Sequence, residues 1–339
     1  MLLGRSKPPN HPSLLCRRYN RQMQSKRIAY AKVTFAVLAW GASFIATKIA
    51  LADVSPVTIV WLRFAMGVAI LGAAVLVRKQ FAIPGSKELG YFALLGFIGI
   101  TFHQWLQSTG LQTALASTTA WIVATTPVFM ALLGYLLLKE RLGWMKVSGI
   151  LLAGLGVLLV VTQGDFSSLL EGRFGTPGDF LILISAPNWA IFSVLSRRGL
   201  QTHPAARMML YVMSFGWLFT SLLLLSGPGL SEIGSLTLNG WMGVSFLGIA
   251  CSGLAYIFWY DGLQAIPASQ VGAFLYLEPL VAVIVAAILL QEAILLASVL
   301  GGAIILFGVW MVNRSAPTGG TVASRKPGLQ PTGNPDDVS

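Results

Sequence analysis

Glu278 stands directly before Pro279 in the run FLYLEPLVA, and it is the one carboxylate set deep inside a long apolar stretch. An ionised carboxylate at a bilayer centre costs about 2.5–3.5 kcal/mol on insertion scales, so such a group faces a cavity or a partner. Three readings of Glu278 stay open: a proton or charge site lining a cavity, a structural pair with Lys48 or Arg63, and a protonated carboxyl bonded to backbone that the neighbouring proline frees. Pro279 and Pro127 each remove an i to i−4 hydrogen bond, releasing the carbonyls of Leu275 and Val123. Both prolines fall about ten residues into their apolar runs, near a membrane midplane at roughly 1.5 Å of rise per residue. They are read as hinges.

A second group of residues suits ligand binding. His103 and Gln107 share a helix face at i, i+4, with Gln104 and Ser108 beside them. Trp40 and Trp189 lie mid-run, Phe44 and Phe192 follow them by about one helical turn, and Asn188 adjoins Trp189. Trp121, Tyr256 and Trp259 complete the set. Amides and an imidazole on one side and aromatics on the other would line a cavity for a ligand with both polar and flat or apolar parts. Plain packing of large side chains explains the aromatics equally well. The only histidines are His11, His103 and His203, and no Ser-His-Asp grouping, HExxH, Walker sequence, metal cluster or Gly-rich phosphate loop occurs. No catalytic residue, metal or cofactor is expected.

The elements that position these residues follow from composition. Of the 339 residues 55% are hydrophobic and 10% charged, with a mean hydropathy of +0.73; soluble domains carry about 25% charged residues. Apolar windows fall at 29–50, 57–77, 90–109, 117–138, 144–162, 178–197, 207–226, 241–261, 269–290 and 294–313. Runs of this length are too long for barrel strands and satisfy their backbone only as helices. With the N-terminus placed in the cytoplasm, twenty of the 23 Lys and Arg fall in inside segments, one (Arg173) falls outside, and Lys48 and Arg63 lie within or at the edge of helices. The positive-inside rule therefore puts both termini in the cytoplasm. The net charge of +11 belongs to this topology and not to nucleic-acid binding. Cys16 and Cys251 form no disulfide or zinc pattern. The basic start shows no cleaved signal peptide, and Met23 is a second possible start.

The chain also repeats itself. Shifted by 152, GLQTALAS at 110–117 meets GLQAIPAS at 262–269, Pro127 meets Pro279, Glu140 meets Glu292, Gly96 meets Gly248, and Gly149 and Gly156 meet Gly301 and Gly308; shifted by 149, Trp40 meets Trp189. The unit is five helices. An odd number of crossings turns the second copy upside down, which gives two inverted five-helix repeats in an all-α integral membrane protein of ten transmembrane helices. The glycines on helices five and ten, with Gly154 and Gly302, are read as close helix packing. The domains expected are a basic cytoplasmic tail (1–28), a first repeat (29–162), an outside linker (163–177), a second repeat (178–314) and a disordered cytoplasmic tail (315–339).

AWGASFIATKIAL in helix one, TTPVFMALLGYLLLKERL closing helix four and LEPLVAVIVAAILLQEAI closing helix nine resemble the EamA-type drug/metabolite transporter superfamily. The resemblance covers about residues 29–314. Gln291 departs from it, standing where a glycine before the Glu is more usual, and the basic N-terminal tail is longer than in such carriers. The resemblance implies a ten-helix carrier of the cell (inner) membrane with both termini inside, often exporting amino acids or other small metabolites. The function expected is export of an amino acid or similar amphipathic compound by alternating access around a midplane cavity. The partners expected are that small-molecule substrate and the lipid bilayer, without nucleic acid, and a homodimer is left open. An integral-membrane enzyme acting on a lipid-linked substrate, or a sensor or scaffold that transports nothing, is the alternative.

Overall fold

Backbone polar groups in hydrocarbon need partners within their own segment, and the chain meets that demand with helices throughout. The computed structural model describes residues 12–138, 143–167 and 175–314, and no strand occurs among them. Among the described residues ten helices are long and apolar enough to cross a membrane. They are α1 (Lys26–Leu51, the later part of a helix that begins at Pro12), α2 (Pro56–Val77), α3 (Ser86–Gly110), α4 (Ala116–Leu136) and α5 (Trp144–Val161), then α6 (Pro177–Thr202), α7 (Ala205–Leu225), α8 (Leu238–Ala265), α9 (Gln270–Leu289) and α10 (Leu296–Arg314). Leucines and isoleucines such as Leu76, Leu151, Leu155, Leu222 and Ile288 project from the bundle surface, as lipid-facing positions should. Glu140, Arg173 and the C-terminal tail lie outside the described residues.

The packing carries the repeat. α5 runs along α10, α2 along α7, and α4 along α9. α1 packs on α8 and α9, while α6 packs on α3 and α4; α2 packs on α8, and α7 on α3. Exchanging each helix for the one five places along returns each of these pairings, so the two halves are related in space as well as in sequence, while α4 also packs on α5 and α10 more extensively than α9 does. The α5–α10 seam shows why glycine recurs there. A Cβ on Gly149 would stand 2.6 Å from the carbonyl oxygen of Gly308, one on Gly308 would stand 2.6 Å from that of Gly149, and Gly156 and Gly301 face each other at 2.7 and 2.8 Å in the same way. Only residues without a Cβ let these backbones meet. Gly154 differs from the expectation, since a Cβ there would meet nothing within 4 Å. Gly302 instead makes room for the Trp121 indole.

Charged groups collect at the two ends. At the end holding the beginning of α1 and the last residues of α10, Asp261 binds Lys32 at 2.6 Å and Arg78 at 2.8 Å. At the opposite end Glu292 accepts from the N–H groups of Ala116 (2.8 Å) and Ser117 (3.1 Å) and from Ser117 Oγ (2.7 Å). The carboxylate thus sits on the exposed N–H groups that open α4, where the helix dipole favours a negative charge. Lys48 Nζ lies 3.8 Å from the same carboxylate and donates to the Ala114 carbonyl at 2.8 Å. Asp53 accepts from Thr237, and Glu232 from Ser55 and Thr58, at this end too.

Candidate functional site

Two helices widen at matched places. α3 contains a π-helical segment at Phe97–Phe102 and α8 one at Phe246–Leu254, immediately before His103 and its repeat counterpart Ala255. A π turn shifts the hydrogen-bond register and is frequent at functional sites. Side chains from the equivalent helices of the two halves serve these segments. Asn188 on α6 donates from Nδ2 to the Ile98 carbonyl at 2.9 Å, and Trp40 on α1 donates from Nε1 to the Cys251 carbonyl at 3.1 Å. Pro187, inside α6 and next to Asn188, loosens that helix at the same level.

Two other helices break at matched places. α4 is helical to Val123 and resumes at Thr126, ahead of Pro127; α9 tightens to a 3₁₀ turn at Leu275–Leu277, ahead of Glu278 and Pro279. The carbonyls expected to be freed by the prolines both find donors. Thr126 Oγ1 bonds the Val123 oxygen at 2.7 Å, and the Glu278 N–H bonds the Leu275 oxygen. The Glu278 carboxyl itself has no hydrogen-bond or ion-pair partner among the described residues. It pairs with neither Lys48, which is held by Glu292 and Ala114, nor Arg63. Gly41 on α1 packs on this break: a Cβ there would stand 2.7 Å from the Glu278 carbonyl oxygen.

Between the widened helices lies a polar centre. Arg63 on α2 is buried, donating from Nε to Ser252 Oγ on α8 at 3.1 Å and from Nη1 to Gln104 Oε1 on α3 at 2.8 Å. Two aromatic clusters adjoin the residues that hold it, one through His103 beside Gln104 and one through Tyr256 a turn after Ser252. In the first, His103, Trp189 and Phe192 lie in series with tilted rings, centroids 4.7 and 4.8 Å apart. In the second, Trp40 meets Tyr256 edge-on at 5.6 Å and Trp259 at 5.2 Å. His103 Nδ1 is buried with no hydrogen-bond partner among the described residues.

The expected site residues therefore separate. Gln104 holds the polar centre, Trp40, His103, Trp189, Phe192, Tyr256 and Trp259 form the two adjoining ring clusters, and Asn188 stays beside Trp189 on α6. Trp40 and Asn188 use their N–H groups on backbone, and Phe192 fills the space over Gly99. Gln107 is half-buried one turn farther along α3. Phe44 packs with Ile45, Leu111, Ala116, Ala282 and Ala286, between α1, α4 and α9. Trp121 lies against α10, in a small pocket it shares with Ser117, Glu292 and Ser298. Arg63 and Ser252 were not anticipated as site residues. The signal for Arg63 was present, because an arginine inside an apolar helix is itself a functional pointer.

A family model, described as the EamA-like transporter family, matches residues 27–162 and again 176–314. The chain belongs to the EamA-like transporter family. An uncharacterized transporter of Archaeoglobus fulgidus is 27% identical over 277 residues, covering 82% of this chain and 94% of that protein. The uncharacterized transporter YdfC of Bacillus subtilis is 28% identical over 273 residues, covering 80% of this chain and 86% of its own. A probable terminal-alkyne amino-acid exporter of Streptantibioticus cattleyicolor is 25% identical over 285 residues, covering 82% and 91%. A solved crystal structure shares the fold at a TM-score of 0.57 and 21% identity, over 86% of this chain and 97% of that one. This EamA-like protein is a multi-pass membrane transporter, and family and relatives alike point away from an enzyme.

Proposed function

We propose that this EamA-like transporter exports an amino acid or a similar amphipathic metabolite by alternating access. The observation that carries the reading is that the main helix packings of one half have their counterparts in the other, α1 on α8 and α9 matching α6 on α3 and α4, and α2 on α8 matching α7 on α3. Two halves of one design, facing opposite ways, can exchange conformations, so that an outward-open form resembles an inward-open form with the halves swapped. The termini are cytoplasmic and the membrane is the cell's inner one, in keeping with the distribution of Lys and Arg. The substrate occupies the region bounded by His103, Gln104, Trp189, Phe192, Tyr256 and Trp259, with the breaks at Pro127 and Pro279 as hinges and Glu278 as the proton site. The bonds of Glu292 to the start of α4 close the external end in the form described. The similarity to a probable terminal-alkyne amino-acid exporter of Streptantibioticus cattleyicolor supports the substrate class. Reconstituted protein showing solute counterflow with a member of an amino-acid panel is the expected result. Absence of saturable flux across a broad metabolite panel would contradict it.

A further inference from the structure

Arg63 is a buried cation that the protein leaves without a counter-ion. At 6% exposure it lies well inside α2, and its two protein acceptors, Ser252 and Gln104, are both neutral. Lys32 and Arg78 share Asp261, and Lys48 has Glu292, but no carboxylate stands within ion-pair distance of Arg63 among the described residues. A buried charge held only by neutral groups is expensive, and in a membrane helix it marks the place of a missing partner. A guanidinium presents five N–H donors in a planar fork. Nε and Nη1 are engaged, while Nη2 makes no hydrogen bond among the described residues. Ser252 and Gln104 therefore fix the plane of the fork from two helices without neutralising it.

The surroundings narrow the ligand. His103, next to Gln104 on α3, adds a buried polar atom, Nδ1, without a hydrogen-bond partner among the described residues. Two aromatic clusters adjoin the residues that hold Arg63, one through His103 beside Gln104 and one through Tyr256 a turn after Ser252. One guanidinium balances one negative charge, and its fork matches the two oxygens of a carboxylate. A phosphate dianion would keep half its charge uncompensated beside these aromatic rings.

We propose that Arg63 is the receptor for a carboxylate group on the transported solute, so that the substrates of this carrier are monocarboxylates with an apolar or aromatic remainder. This rests on the transport reading above and adds a residue and a chemical requirement to it. Amines and amides of the same shape are excluded, because they leave the guanidinium buried and unpaired.

Acid and amide pairs test this: L-phenylalanine with L-phenylalaninamide, L-leucine with L-leucinamide, and 3-phenylpropionate with 3-phenylpropionamide. Ligand-induced thermal stabilisation of the purified protein reads binding, and uptake into proteoliposomes reads transport. At least one acid is expected to bind tenfold or more tightly than its amide to the wild-type protein. Arg63→Gln should abolish that preference, and Arg63→Lys should retain it in part, since lysine keeps the charge and loses the fork. Equal binding of acid and amide, binding of neither in any pair, or undiminished acid preference in Arg63→Gln overturns the proposal. If Arg63→Gln does not fold, the wild-type ratio and Arg63→Lys decide it. A merely structural role would weaken acid and amide alike and leave their ratio unchanged. Binding with the expected ratio but without flux would sink the transport reading and leave Arg63 as a carboxylate receptor.

Discussion

Thr126 and Glu278 occupy the same position in the two repeats, each just before its proline. Thr126 spends its hydroxyl on the Val123 carbonyl, whereas the Leu275 carbonyl is taken by backbone and the Glu278 side chain is left over. Replacing Thr126 with Val keeps the shape and removes the donor. A buried carbonyl left without its bond costs about 1–3 kcal/mol, so Thr126→Val should lower the thermal midpoint of the purified protein, and Thr126→Ser should restore it. Glu278 carries a different expectation. If it holds the coupling proton, Glu278→Gln should fold, bind substrate and move it with a rate that no longer follows pH. Wild-type pH dependence in that variant would remove Glu278 from coupling. The sequence already pointed to Glu278, His103 and Gln104, since polar groups in an apolar run stand out by hydropathy alone. It could not show that Trp40 and Asn188 would be committed to backbone carbonyls, because those carbonyls become available only when a neighbouring helix widens. Arg63 was visible as a cation, but its lack of an acid is a fact of three helices meeting.

Helices α3 and α8 gain their π segments, and α4 and α9 their breaks, at places related by the repeat. The breaks were legible, because proline announces a lost hydrogen bond. The π segments were not: nothing in GFIGITF or SFLGIACSGL forbids a regular helix, and the register is decided by what packs against it. Pro187 was legible in SAPNWA and marks the loosened level of α6 opposite the α3 segment. Helix facing was harder still, which is why Phe44 and Trp121 lie away from the residues they were grouped with. The α5–α10 seam yields a paired prediction. Gly301→Ala places a methyl against the Gly156 backbone oxygen, and neither helix can yield without parting the seam. Its thermal midpoint or its yield of monodisperse protein should fall. Gly154→Ala, where a Cβ meets nothing, should leave both unchanged. Equal tolerance of the two would show that the seam does not depend on the close approach.

For the whole molecule, the number of spans and the inverted repeat followed from run length and from an odd count of crossings, two features that depend little on side-chain detail. The packing adds that the main contacts of the two halves match: α1 stands to α8 and α9 as α6 stands to α3 and α4. The two ends of the bundle are tied by different chemistry, a shared aspartate at one and a carboxylate on a helix start at the other. A carrier must open these ends in turn, never together, and that separates it from a pore. Counterflow measures this directly. Proteoliposomes loaded with an unlabelled amino acid at high concentration and diluted into a trace of the labelled compound should accumulate label transiently above the outside concentration, and Glu278→Gln should still support this exchange. Label that only equilibrates, or that enters empty and loaded vesicles alike, would contradict alternating access in this protein.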